Sequence, residues 1–187
     1  MTQLCGQITR DYVFGHKYDP AIFEAFTEMA KEKLAGKEHN TQRPKTAMRF
    51  EIDDWHTLTF KPQILSSPTG WKMGNSIRLE LRTSLEVQGK KGNGCELILE
   101  LHPNGFIIPR RWWKELEQTR AAFEMVEGHL DMLSTDPGAA IGRNKSNCAI
   151  CGRKLTDPES QARGVGPECK RMFEFLVRRM NGEVETA

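Results

Sequence analysis

The period of the apolar positions changes along this chain, and each change marks an element. From Asp19 the spacing is three to four, with Ile22, Phe23, Phe26, Met29, Ala30 and Leu34 on one stripe. Asp19 stands as an N-cap, Pro20 pre-sets the first helical φ, and Gly36 ends the pattern. This predicts a helix over 20–35, followed by a polar connector over 36–46. The period then drops to two. Met48, Phe50 and Ile52 alternate with polar residues, Asp53-Asp54 mark a turn, and His56, Leu58 and Phe60 alternate again. The longest alternating run holds Ile77, Leu79, Leu81, Leu85 and Val87. Beyond a glycine-rich loop at 88–94 it is answered by Cys95, Leu97, Leu99 and Leu101. These runs predict an antiparallel sheet within 47–108, apolar on the one face that needs cover. The helical period returns after Pro109. Trp113, Leu116, Phe123, Val126, Leu130 and Leu133 predict a covering helix over 109–133, ended by Asp136-Pro137-Gly138. The expected fold class is therefore α+β, with a body over 1–140. A Gly/Ser/Ala/Asn linker over 134–146 leads to a small module over 147–181 that closes on a helix.

Composition changes this picture little. Apolar residues make up 38% and charged residues 28% of 187, which excludes global disorder. No run approaches the ~18 apolar residues of a membrane span. The first residues, Met1 to Gly6, show no basic region followed by an apolar stretch, so no secretory signal is expected. With that reading, five cysteines point to thiolate ligands rather than disulfides and to a cytoplasmic setting. Charge matters more. The net charge is +2, but the stretch from Ala140 to Met180 alone carries +5, which leaves −3 for the remainder. Such an imbalance marks a candidate polyanion-binding end.

The chemistry-bearing pattern lies in the same stretch. Cys148 and Cys151 have the Cys-x2-Cys spacing that lets two thiolates of one tight turn reach one ion at ~2.3 Å. Gly152 permits the positive φ that such a knuckle requires. Cys169 follows Gly164-Val165-Gly166-Pro167, where a helix should begin and its dipole favours a thiolate. A short hairpin is expected between them, turning at Thr156-Asp157-Pro158-Glu159. Knuckle, hairpin and helix in this order resemble the treble-clef class of zinc site. A structural zinc takes four ligands, and no Cys or His follows Cys169. His129 is the first candidate for the fourth, followed by Cys95, His102 and Cys5.

The string Cys148-x2-Cys151-Gly152-Arg153-x-Leu155-Thr156-Asp157-Pro158-x-Ser160-x3-Gly164-x-Gly166-Pro167-x-Cys169 resembles a small uncharacterised zinc-finger-like domain of bacteriophage and bacterial proteins. The resemblance covers roughly 25 residues. It implies zinc at Cys148, Cys151 and Cys169 and a phage or mobile-element origin, and it brings no established chemistry. Residues 1–140 resemble no family in this way. Gly164-Val165-Gly166-Pro167 also looks like the turn of a helix-hairpin-helix, which grips a DNA phosphate through backbone amides. That motif needs an apolar stripe on the preceding helix, and residues 158–163 have none.

These readings lead to a non-enzymatic, zinc-containing nucleic-acid-binding protein as the expected function. DNA or RNA would be contacted by Arg153, Lys154, Arg163, Lys170 and Arg171. Arg110 and Arg111, beside Trp112 and Trp113, are further candidates. A phage-type protein that binds a host protein, such as a defence nuclease, is the alternative. A metal-dependent nuclease built on Glu51, Asp53, Asp54, Glu80 and Glu100 is a lesser one, since these acids lie on strand faces without a recurring spacing. The chain has no glycine-rich phosphate loop, no Gly-x-Ser-x-Gly and no dinucleotide fingerprint.

Overall fold

A computed structural model of the chain describes residues 16–35, 44–84, 93–111 and 116–183. Helix α1 spans Pro20–Leu34, and the Asp19 side chain accepts the Ala21 amide at 2.9 Å, so the expected cap forms. Five strands follow in a simple antiparallel meander, with sheet order and sequence order the same: β1 Met48–Glu51, β2 His56–Ser67, β3 Gly70–Ser84, β4 Asn93–Leu101 and β5 Ile107–Arg111. The register explains the alternation. Met48 pairs with Phe60, Phe60 with Leu79, and Leu79 with Leu99, so one face collects the apolar residues of every strand. Helix α1 and the long helix α2, Leu116–Thr135, contact the sheet. Phe26 of α1 stacks on Phe60 at 4.4 Å between centroids and meets Phe50 edge-on at 6.0 Å. Pairs of this kind add about 0.5–1.5 kcal/mol beyond simple burial. The α+β class and the covered antiparallel sheet thus stand as the sequence implied.

Three elements differ from expectation. The covering helix is described from Leu116, and Pro109 does not start it, because residues 107–111 form β5, with Ile107 opposite Leu101 and Pro109 opposite Leu99. Strand β5 lies at the sheet edge, where a proline without an N–H is tolerated. Arg110 and Arg111 are therefore strand residues, and Trp112 and Trp113 fall outside the described residues. The expected linker contains helix α3, Pro137–Gly142. Asp136 does end α2, but its side chain also accepts the Ala139 amide at 2.9 Å and so starts the next helix, with Ala140 and Ile141 fully buried. The expected turn at 156–159 is the start of helix α4, Pro158–Arg163, whose N-cap Asp157 accepts the Ser160 amide at 2.8 Å.

A 3₁₀ turn, Pro167–Cys169, leads into the terminal helix α5, Lys170–Met180, which packs on α1. Body and C-terminal segment share one hydrophobic core. Ile150, Leu155, Val165, Leu176 and Met180 belong to the same buried cluster as Phe26 and Phe50. Polar contacts reinforce the junction. The buried Asn144 side chain accepts from the Glu51 amide at 3.2 Å and donates to the carbonyls of Arg49 at 2.8 Å and Asn147 at 3.1 Å. The Glu51 carboxylate in turn accepts the amides of Lys145 and Ser146. Asn144→Ala strands several backbone groups at once, so it should cost about 2–3 kcal/mol in urea unfolding. A loss below about 0.5 kcal/mol would show that the junction does not depend on this side chain.

Candidate metal centre

The knuckle is a tight turn in which the Gly152 amide donates to the Cys148 carbonyl at 2.8 Å, with Gly152 at φ 74° as the left-handed position requires. Two short segments flank it as a ribbon. The Cys148 amide donates to the Arg153 carbonyl at 2.8 Å, the Leu155 amide donates to the Ser146 carbonyl at 3.0 Å, and Asn147 bridges Lys154. The knuckle is anchored on both sides. The Arg49 amide of edge strand β1 donates to the Ala149 carbonyl at 2.9 Å, and the Ala149 amide donates to the Gly164 carbonyl at 3.1 Å. Lys33 of α1 reaches across to the Ile150 carbonyl at 3.0 Å. Gly164 also has φ 74°, and a Cβ there would lie 2.0 Å from the Ile141 carbonyl oxygen. Only glycine therefore lets the chain turn back against α3 and deliver Cys169.

The result is a convergence of three sulfurs. The Sγ atoms of Cys148, Cys151 and Cys169 all lie within 4.8 Å of one another, and no disulfide joins them. Cys148 is buried, Cys169 half-buried and Cys151 exposed. The three thiols are not equivalent. Burial opposes ionisation of Cys148, but the amides of Gly166, Cys151 and Ile150 point at its sulfur and, with the Cys151 thiol, carry its pKa below the usual thiol range. Burial and the neighbouring Cys148 charge push Cys169 up to about 12. Burial lowers the pKa of Lys33, while the charges of Cys169, Cys151 and Cys148 act against that shift. Charge on Cys148 thus opposes charge on Cys169, and a cation among the sulfurs would relieve that opposition. Three close cysteines of this kind can bind a metal ion.

The first candidate for a fourth ligand does not join them. Among the described residues the ligand cluster consists of the three cysteines alone. His129 lies in the main core, on the face of α2 that also buries Ala122, Phe123, Val126 and Leu133, with its ring 4.9 Å from that of Phe50. Spacing explains the placement, since three residues after Val126 the helix returns to its buried face. Neither ring nitrogen has a hydrogen-bond partner among the described residues. Burial, with a smaller contribution from Arg143, pushes the His129 pKa down to about 4. His102 turns with the loop after β4, where the Tyr18 hydroxyl donates to its carbonyl at 2.7 Å and its ring nitrogen lies 3.9 Å from Glu100. Cys95 pairs through its backbone with Arg82, and Cys5 falls outside the described residues.

The glycine turn before Cys169 is also accounted for. A helix does precede it, although α4 lacks the apolar stripe expected of a helix-hairpin-helix and buries only Ser160. The Gly166 amide, which that motif would offer to a phosphate, is instead aimed at the Cys148 sulfur. The nominated cations are distributed unevenly. Arg153 pairs with Glu168, Arg163 with Glu159 at 2.8 Å, Arg171 with Glu32 at 2.7 Å, and Arg110 with Glu100. Lys154 and Lys170 have no ion pair among the described residues, and Arg111 pairs through its backbone with Ile98. The five strand-face acids form no cluster that could hold an ion among the described residues. Asp53 caps the turn to His56, Glu80 is held by Lys61 and Arg82, and Glu51 anchors the junction. No described helix is long and apolar enough to cross a membrane.

Residues 138–173 fit the model of a family of unknown function, DUF6011, which covers α3, the knuckle, α4 and the start of α5. Neither a curated protein nor a solved structure matches the chain.

His129 supplies the prediction from this site. Its folded pKa of about 4 lies below the unfolded value of about 6.5. Between those limits the unfolded chain binds the extra proton, so stability is lost as pH falls from about 6.5 to about 4. The loss attributable to this group is on the order of 3 kcal/mol. His129→Leu should flatten that part of the stability–pH curve in urea titrations. An unchanged slope would show that His129 is not buried in its neutral form.

Proposed function

We propose that this protein is a non-enzymatic, zinc-containing nucleic-acid-binding protein of the phage or mobile-element type implied by its C-terminal resemblance. The observation that carries the reading is the convergence of Cys148, Cys151 and Cys169 within a segment whose net charge is +5. Three thiolates form a soft donor set that suits zinc and disfavours magnesium or calcium, which take oxygen ligands. Tetrahedral zinc at ~2.3 Å from each sulfur sets the sulfurs about 3.8 Å apart, a distance compatible with the 4.8 Å bound on the three. The knuckle before the ribbon and the third cysteine at the start of α5 give the order of a treble clef, with the short helix α4 between them. Such an ion would hold Cys148, Cys151 and Cys169 together and so fix the positions of Arg153, Lys154 and α5. The ion's part is structural, and the cations of the chain make the contacts with phosphate.

The metal-dependent nuclease reading has less support, because each of the carboxylates Glu51, Asp53, Glu80 and Glu100 already serves a turn, a junction or an ion pair.

Freshly purified protein should hold about one zinc per chain by metal analysis. Cys151→Ser, at an exposed position where packing loss is small, should release it. Because binding displaces thiol protons, zinc retention should weaken as pH falls. Protein that carries no zinc and gains none on titration rejects the metal assignment. In fluorescence anisotropy with labelled DNA or RNA, log affinity should fall linearly with log salt. No binding even at low salt, together with a protein partner that survives nuclease treatment, would turn the reading to the host-protein alternative.

A further inference from the structure

We infer that nucleic acid is gripped chiefly by a basic cleft between the outer face of the sheet and the cysteine knuckle, and that the cleft holds the sugar-phosphate backbone rather than the bases. This rests on the nucleic-acid reading above and moves its main contacts from the terminal helix to the body. The cleft encloses about 1430 Å³. Its floor is formed by outward side chains of β1 to β3, including Arg49, Lys61, Arg78 and Arg82, with Lys45 at the approach to β1. Its wall is the knuckle from Ala149 to Arg153, together with Lys33. Among these lining residues the single carboxylate is Glu100, which already accepts from Ser76 at 2.7 Å and pairs with Arg110.

The floor is organised in a way that solvent-facing charge alone does not require. Lys61 and Arg78 stand directly opposite each other across β2 and β3, a like-charge pairing that costs stability. Buried Glu80 offsets it by receiving Lys61 at 2.5 Å, Arg82 at 2.8 Å and Arg78 at 3.3 Å. Three cations share one carboxylate, so the group remains net positive while its side chains are already placed. Less rotamer freedom is then lost when an anion arrives. Arg49 extends the row and donates to the Thr57 hydroxyl at 3.3 Å, with no carboxylate partner among the described residues. On the C-terminal module, by contrast, Arg153, Arg163, Arg171 and Arg179 each meet an acid of their own.

Among the described residues no aromatic side chain lines the cleft. Proteins that take single strands without sequence preference stack bases on aromatic rings, whereas lysine and arginine without such platforms read phosphates. The ligand class is therefore the phosphate backbone of nucleic acid, bound without regard to sequence and with no preference for single strands.

The test uses the full chain and a labelled mixed-sequence DNA duplex in anisotropy titrations over a range of salt. Arg49→Gln with Arg78→Gln, both exposed, should weaken binding by about 10- to 100-fold near 0.1 M salt and reduce the salt slope by about two. Lys45→Glu, also exposed, should weaken it in the same direction and serves as an independent variant should the pair disturb folding. Lys154→Gln with Lys170→Gln should change affinity less than about threefold. Unlabelled duplexes of other sequences and single strands of equal length should compete within about threefold. If the sheet variants bind like the parent while Lys154→Gln with Lys170→Gln abolishes binding, the cleft is the wrong site and the nucleic-acid reading survives. A strong preference for single strands or for one sequence overturns backbone recognition. A parent protein that binds no nucleic acid removes both readings together.

Discussion

Three thiols held within 4.8 Å of one another are the constraint around which the C-terminal segment of this protein closes. Left without a cation they compete: amide donors favour charge on Cys148, and that charge resists ionisation of Cys169. A bound cation removes the competition, and the segment between the knuckle and α5 then has a fixed start and end. The backbone is shaped for this closure. Gly152 makes the knuckle turn, Gly164 passes against the Ile141 carbonyl where no side chain fits, and the Gly166 amide faces the sulfur.

The same constraint reaches the body. The knuckle extends the edge of β1 through the bond from the Arg49 amide to the Ala149 carbonyl and receives Lys33 from α1. Asn144 and Glu51 seal the joint with side-chain bonds to backbone groups. One core runs through body and C-terminal segment, from Phe60 under α1 to Leu176 on α5. The wall of the basic cleft is therefore placed by the bonds that tie the knuckle to β1 and α1, and its floor by strand register.

Much of this was legible from residue order. Period-two alternation from Met48 to Leu101 places the strands, because the main apolar positions, such as Met48, Phe60, Leu79 and Leu99, pair with one another in register. The cysteine spacing announces the site. What escaped was ambiguous for physical reasons. Pro109 suits the first turn of a helix and an edge strand equally, and only pairing with Leu99 decides between them. Asp136-Pro137 ends one helix and begins another. Asp157-Pro158 carries the same start signal as Asp19-Pro20, but α4 is too short to show an apolar stripe. His129 resembled a ligand because it is the histidine nearest upstream, yet its spacing from Val126 places it in the core. Arg49, Lys61, Arg78 and Arg82 each look like ordinary solvent-facing strand residues. The gathering of Lys61, Arg78 and Arg82 around Glu80, with Arg49 farther along the same face, appears only when the register sets Lys61 opposite Arg78.

The most direct measurement on the central claim is cobalt(II) substitution followed by visible absorption of the intact protein. Joint ligation by Cys148, Cys151 and Cys169 predicts a stoichiometric, intense tetrahedral d–d spectrum with a thiolate charge-transfer band, and a clearly weaker band when Cys169 is changed to serine. A weak spectrum of the hydrated ion, or one indifferent to Cys169, would contradict the account.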